Sequence, residues 1–180
     1  MKYFFGIDPG KKGGIVLLNE DGKFYGYHFI PKTKDNEIDI KKLNDIFKSK
    51  TFKNSYVTIE KVHAIFGSAA KATFDFGRTV GIKETILVVN NLQHEYVTPK
   101  EWQKNMFEEI EPIYKISKKK GRGTLETKLM ATEAYKKLFP DVDLYITEEG
   151  NKSKNVHDGI VDALLIAEYG RRKYLGLLKT

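Results

Sequence analysis

The chain has 180 residues and carries 31 Lys and Arg against 24 Asp and Glu, a net charge of +7. Hydrophobic residues make up 41% and aromatics 12%, too many for a disordered chain, yet no window reaches the roughly 18 apolar residues of a membrane span. With no cysteine, disulfides, thiolate zinc sites and a cysteine nucleophile are excluded, and the positive excess suits a polyanionic partner.

The opening residues reach Asp8 after only three apolar positions and have no small-residue cleavage site, so no signal peptide is expected. One cytoplasmic domain over 1–180 is predicted, with no membrane association. Residues 2–8 predict a buried strand through Tyr3, Phe4, Phe5 and Ile7, stopped by the turn signal Pro9-Gly10. Residues 14–19 predict a second strand. Asp21-Gly22 signals a hairpin, and 23–30 returns as the third strand. Ile40, Leu43, Ile46 and Phe47 recur at helical spacing, predicting a helix over 39–50. Tyr56-Val57-Thr58-Ile59 then predicts a strand ending at Glu60, parallel to the first because a helix precedes it.

Ala69, Ala72, Phe76 and Val80 predict a helix over 68–84, the run 86–89 predicts a strand, and 95–97 can begin a short one. Thr98-Pro99-Lys100-Glu101 has the cap, the proline and the glutamate of a helix start. A basic, glycine-containing loop follows at 115–123. Thr124 is the expected cap of a helix that Pro140 ends, and a last helix covers about 157–170. This order matches a ribonuclease H-like α/β domain. Its mixed five-stranded sheet has an antiparallel meander, then parallel strands, with helices flanking it.

Asp8 and Glu60 end two neighbouring parallel strands, so both emerge at the sheet edge where ligands of open α/β sheets bind. Asp158 and Asp162 are four apart on the last helix and share a face. Each alone reads equally as an ordinary turn, strand-end or helix-start acid. Gathered together they repel unless a cation neutralises them, and oxygen-only donors suit Mg²⁺ or Mn²⁺. Two such ions would activate a water and stabilise the leaving oxygen of a phosphodiester.

Four stretches of this sequence resemble the RuvC family of Holliday junction resolvases, including phage and mobile-element members. They are Phe5-Gly6-Ile7-Asp8-Pro9-Gly10, Ile59-Glu60-Lys61-Val62, Gly77-Arg78-Thr79-Val80-Gly81 and Val161-Asp162-Ala163-Leu164-Leu165-Ile166-Ala167. The resemblance implies a crossover junction endodeoxyribonuclease of DNA recombination and repair. Such an enzyme binds two Mg²⁺ and makes paired symmetric nicks with 5′-phosphate ends. Its first Asp falls on Asp8, its Glu on Glu60 and its last Asp on Asp162. Many members place the remaining ligand three residues before the last Asp, where this chain has Gly159; Asp158 takes that place and His157 is the second choice. The aromatic that follows the family's Glu is replaced by His63, with Phe66 three further on, and both are candidates for stacking on DNA bases. Lys104 and Lys128 match the family's DNA-binding lysines. Lys118, Lys119, Lys120 and Arg122 would track phosphates, with steep salt dependence.

Paired nicks call for a C2 homodimer, and the helix over 68–84, rich in Ala and Gly, is the candidate face. Three other readings stand beside this one. They are a non-catalytic branched-DNA-binding protein, an actin- or sugar-kinase-like ATPase, which would call for a second glycine-rich loop, and a related nuclease acting on RNA or RNA–DNA hybrids.

Overall fold

The computed structural model describes residues 2–61, 69–116 and 123–178. Three antiparallel strands, β1 (Tyr3–Ile7), β2 (Gly14–Asn19) and β3 (Phe24–Phe29), open the chain, joined by the expected hairpin with Gly22 at φ +82°. α1 (Ile40–Phe47) and the one-turn α2 (Lys50–Lys53) follow, then β4 (Ser55–Glu60), α3 (Ala70–Val89) and β5 (His94–Val97). α4 (Pro99–Met106) leads into a two-stranded ribbon, β6 (Tyr114–Ile116) and β7 (Gly123–Leu125). α5 (Thr127–Leu138) and α6 (Asp158–Tyr174) complete the order.

The main sheet runs β3-β2-β1-β4-β5, with β4 parallel to both β1 and β5. β1 lies at its centre, and its alternating side chains feed two cores. Phe4 packs with Val16, Trp102 and the apolar residues of α5 and α6, while Phe5 and Ile7 pack on the opposite face with Leu43, Phe47 and Leu87. Phe5 stacks on Phe52 with ring centroids 3.6 Å apart. Each fully buried side chain of this kind contributes about 1.5–3 kcal/mol. A strand buried on both faces explains why residues 3–7 read as a continuous apolar run rather than an alternating one.

α6 lies across β1 at unusually short range. A Cβ at Gly6 would collide with the backbone of Ala163 and Ala167, and one at Gly159 would collide with the carbonyl of Lys12. Both glycines let helix and strand approach backbone to backbone, which brings the start of α6 beside the residues that follow β1.

Four expectations are corrected. Residues 86–89 are not a strand: α3 continues to Val89, because Ile86 and Leu87 fall in helical phase with Thr79 and Lys83 on its buried face. β-branched content there is overridden by packing. The sheet's fifth strand is instead β5. Helix 39–50 is shorter, since Asp39 accepts from the Lys42 N–H as N-cap and α1 stops before Ser49. Thr124 caps nothing: it lies in β7, and α5 begins at Thr127 after Glu126. The basic loop at 115–123 is flanked by paired strands, with Ile116 opposite Gly123. The capping box of Thr98 and Glu101 forms as expected. Among the described residues no helix is long and apolar enough to cross a membrane.

Candidate active site

Ile7 of β1 lies beside Ile59 of β4 in a parallel register, so the next residue along each, Asp8 and Glu60, leaves the sheet at the same edge. The N-terminal turn of α6 reaches that edge and brings Asp158 and Asp162. The acids from the two ends of the chain therefore meet. Asp8, Lys128, His157, Asp158 and Asp162 line an open cleft of about 810 Å³, together with the glycines of the loop after β1.

The electrostatics mark this edge as short of positive charge. Burial raises the Asp162 carboxyl, and Asp8, Glu60 and Asp158 push it further, to about 8, with Lys128 opposing. Burial raises Asp8 as well, against the Gly10 N–H, which donates to Oδ1 at 2.8 Å, and against the nearby ammonium groups of Lys83 and Lys128. Glu60 is raised by burial and by Asp8, and is held back by the Trp102 indole, which donates to Oε1 at 2.7 Å. Burial plus mutual repulsion is the pattern of a site built for a charged ligand.

The four predicted acids share one electrostatic field, but each is turned differently. Asp158 is half exposed and pairs with the Lys128 ammonium at 2.7 Å. Glu60 faces Trp102 and does not line the cleft. His157 is the N-cap of α6: its Nδ1 accepts from the Ile160 N–H, and its Nε2 lies 4.0 Å from Glu148, which Lys32 also holds. Its ring therefore serves the helix start. Among the described residues no three acids or histidines close on one point as metal ligands would.

Lys128 lies in the first turn of α5, at the cleft, and its acid partners, Asp158 first, raise its proton affinity. Lys104 is exposed on α4, two residues from Trp102 and so on a different side of that helix. His63, Phe66, Lys118, Lys119, Lys120 and Arg122 lie outside the described residues.

Two residues of the site were not foreseen. Lys83 of α3 is fully buried, and its ammonium donates to the carbonyl oxygens of Pro9 at 2.7 Å and Gly10 at 3.4 Å. Burial lowers its pKa to about 8, against the pull of Asp8. A buried cation thus ties the loop after Asp8 to α3 from beneath. Its signal in the sequence was a lysine in phase with Thr79, Ile86 and Leu87 on the core stripe of a helix. The second is Trp102, the chain's single tryptophan, which orients Glu60.

No family model matches the sequence, and no curated protein matches it. Solved structures do. The RuvC of Thermus thermophilus, seen alone and in complex with a Holliday junction substrate, superposes with a TM-score of 0.57, covering 98% of this chain and 98% of the other at 14% identity. The chain therefore has a RuvC-like fold.

Proposed function

We propose that the chain is a metal-dependent, structure-specific endodeoxyribonuclease that resolves four-way junctions or other branched DNA by paired nicks. The observation that supports this reading is that Asp8 and Glu60 follow neighbouring parallel strands to one sheet edge and both act on Asp162, whose carboxyl is raised to about 8 by burial and then by these neighbours. The donor set fits hard divalent cations in its chemistry: it offers carboxylate oxygens only, and protons otherwise do the neutralising. Asp8, Glu60 and Asp162 would hold two Mg²⁺ ions, Mn²⁺ substituting, with Asp158 as fourth ligand and His157 as second choice. Ions held by these residues would contribute an activated water and charge stabilisation of the departing 3′ oxygen, the chemistry that gives a 5′-phosphate product.

The chain's own groups prepare that chemistry. The Gly10 N–H fixes one oxygen of Asp8, Trp102 fixes one of Glu60, and Lys83 holds the intervening loop. Lys128 stands where a phosphate would enter, at the N-terminal turn of a 12-residue helix, and would leave Asp158 to meet it. The basic residues 118–120 and 122 and Lys104 would follow the backbone outward, with His63 and Phe66 offered to bases.

Two nicks related by symmetry call for a two-fold dimer. α3 supports one: Phe74 is 72% and Val88 61% exposed, and among the described residues nothing stands over Gly77 or Gly81 between them. The Lys128–Asp158 pair supports a second reading, a branched-DNA-binding protein without catalysis, since it takes up one of the four acids.

Cleavage of a labelled four-way junction beside linear duplex in Mg²⁺ separates the two. The nuclease reading expects symmetric nicks in the junction alone, lost in Asp8→Asn and Glu60→Gln while binding persists. Tight binding with no nicks in Mg²⁺ or Mn²⁺ selects the second reading.

A further inference from the structure

The β6–β7 ribbon stands apart from the main sheet, and two strands alone are marginally stable in water. Its exposed apolar side chains nevertheless sit together. Tyr114 and Leu125 are directly opposite in the register, on one face of the ribbon, and are 59% and 41% exposed. Leu129, 51% exposed, follows Lys128 in the first turn of α5. The Tyr114 ring is seated rather than free. A Cβ at Gly123 would lie 3.0 Å from Tyr114 Cβ and 3.4 Å from ring atoms Cγ and Cδ1, so the bare glycine backbone forms its floor.

The ribbon is also anchored at the acid cleft. The Glu126 N–H donates to the Ile113 carbonyl at 2.8 Å and closes its base, and two residues later Lys128 touches Asp158. Three residues of extended chain span about 10 Å at most, so Leu125 lies within about three nucleotide steps of a phosphate held at Lys128.

We propose that Tyr114, supported by Gly123 and paired across the ribbon with Leu125, is a stacking platform for an unpaired base of the DNA strand that crosses the acid cleft. The proposal rests on the nuclease reading and adds to it the site that receives the base. Charge complementarity selects nucleic acid as the occupant: Lys115 is exposed on the same ribbon, Lys128 lies two residues past its closing Glu126 at the cleft, and the chain is net positive. An aromatic face next to phosphate-binding cations is the arrangement that holds single-stranded nucleic acid.

The test uses the full chain carrying Asp8→Asn, so that DNA stays intact, and a four-way junction with 2-aminopurine placed in turn at the three nucleotides on each side of the cut phosphate. Binding should quench the probe at one or two of these positions. Adding Tyr114→Ala should remove that quenching and weaken binding roughly ten- to hundredfold, while Tyr114→Phe restores both. Gly123→Val, which displaces the ring from its floor, should resemble Tyr114→Ala. The slope of affinity against salt should not change, because no charge is removed.

Unchanged quenching and affinity in Tyr114→Ala, with the parent protein still binding junctions, overturns the platform and leaves the nuclease reading standing. A shift from dimer to monomer on Tyr114→Ala, seen by sedimentation without DNA, also overturns it, since the ring would then belong to a contact between copies. If the parent binds no branched DNA, the nuclease reading falls and the platform with it.

Discussion

The two ends of α6 bury acid in opposite ways. Toward the C-terminal end, Glu168 is almost fully buried and accepts from Arg171 Nε and Nη2 at 2.8 Å and from Arg172 Nε at 2.6 Å, while Lys173 reaches Glu95 at 2.6 Å. Toward the N-terminal end, Asp162 is buried among Asp8, Glu60 and Asp158, and the cations near it are held elsewhere: Lys128 by Asp158, Lys83 by the carbonyls of Pro9 and Gly10. A fold that neutralises one buried acid with two guanidinium groups can do so for the other. Leaving the N-terminal cluster short of positive charge raises the energy of the free protein, and such a cost persists where a ligand removes it.

The largest effect that would sharpen this contrast is on activity. Asp162→Asn should reduce junction nicking at least about a thousandfold, on the order of 4 kcal/mol of transition-state stabilisation. In the same variant stability should move the other way. The folded-state pKa of Asp162, about 8, lies above the ordinary aspartate value of 3.8, so the folded protein retains a proton that the unfolded chain gives up. Stability should therefore fall as pH rises from 4 to 8, and the fall is complete above 8. Without divalent metal, Asp162→Asn should then melt higher than wild type at pH 8.5, by roughly 2–4 °C per kcal/mol relieved, and at the same temperature as wild type at pH 4. Thermal melts at the two pH values check it; a lower Tm at pH 8.5 would break the contrast.

At the other end of α6, Glu168→Ala should destabilise by about 3 kcal/mol in urea unfolding, because two half-buried arginines lose their partner. Junction-binding affinity should be retained under conditions where the variant stays folded. Loss comparable to that of an exposed ion pair, below about 1 kcal/mol, would show that the C-terminal cluster is not the balanced one.

Lys83→Met keeps most of the volume and removes the internal cation. Nicking should fall roughly ten- to hundredfold through the loop that carries Asp8, while the urea midpoint falls by the equivalent of about 1–3 kcal/mol, since the Pro9 carbonyl loses its buried donor. The smallest effect belongs to the exposed pair: Lys128→Ala should change stability by less than about 1 kcal/mol, although it should weaken DNA binding and flatten its salt dependence.

How far the sequence reveals this molecule depends on where the determining contacts lie. Asp8 and Glu60 are legible because strand ends and the Pro9-Gly10 turn are local features, and a parallel register then brings the two acids together. Asp162 is legible from helical spacing. Local signals fail where packing decides. Residues 86–89 carry β-forming side chains yet remain helical because Ile86 and Leu87 complete a buried stripe, and Thr124 pairs with Lys115 across the ribbon instead of capping α5. The helical phase of Lys83 marks it as buried, but the partners that give Lys83 and Trp102 their roles lie 74 and 42 positions away, and no local pattern names them. The same holds for the pairing of Asp158 with Lys128, which neither helical spacing nor family resemblance foresees.

A divalent cation bound by the acids around the start of α6 is the central proposal. Titration of Mn²⁺ into the protein at pH 8, read by the loss of free Mn²⁺ signal in electron paramagnetic resonance, tests it without DNA or catalysis. Saturable binding that is abolished in both Asp8→Asn and Asp162→Asn, and preserved in Glu95→Gln, whose carboxylate on β5 pairs with Lys173 at the far end of the helix, is the predicted result. Binding that is absent from the wild type, or unchanged in the two aspartate variants, would contradict it.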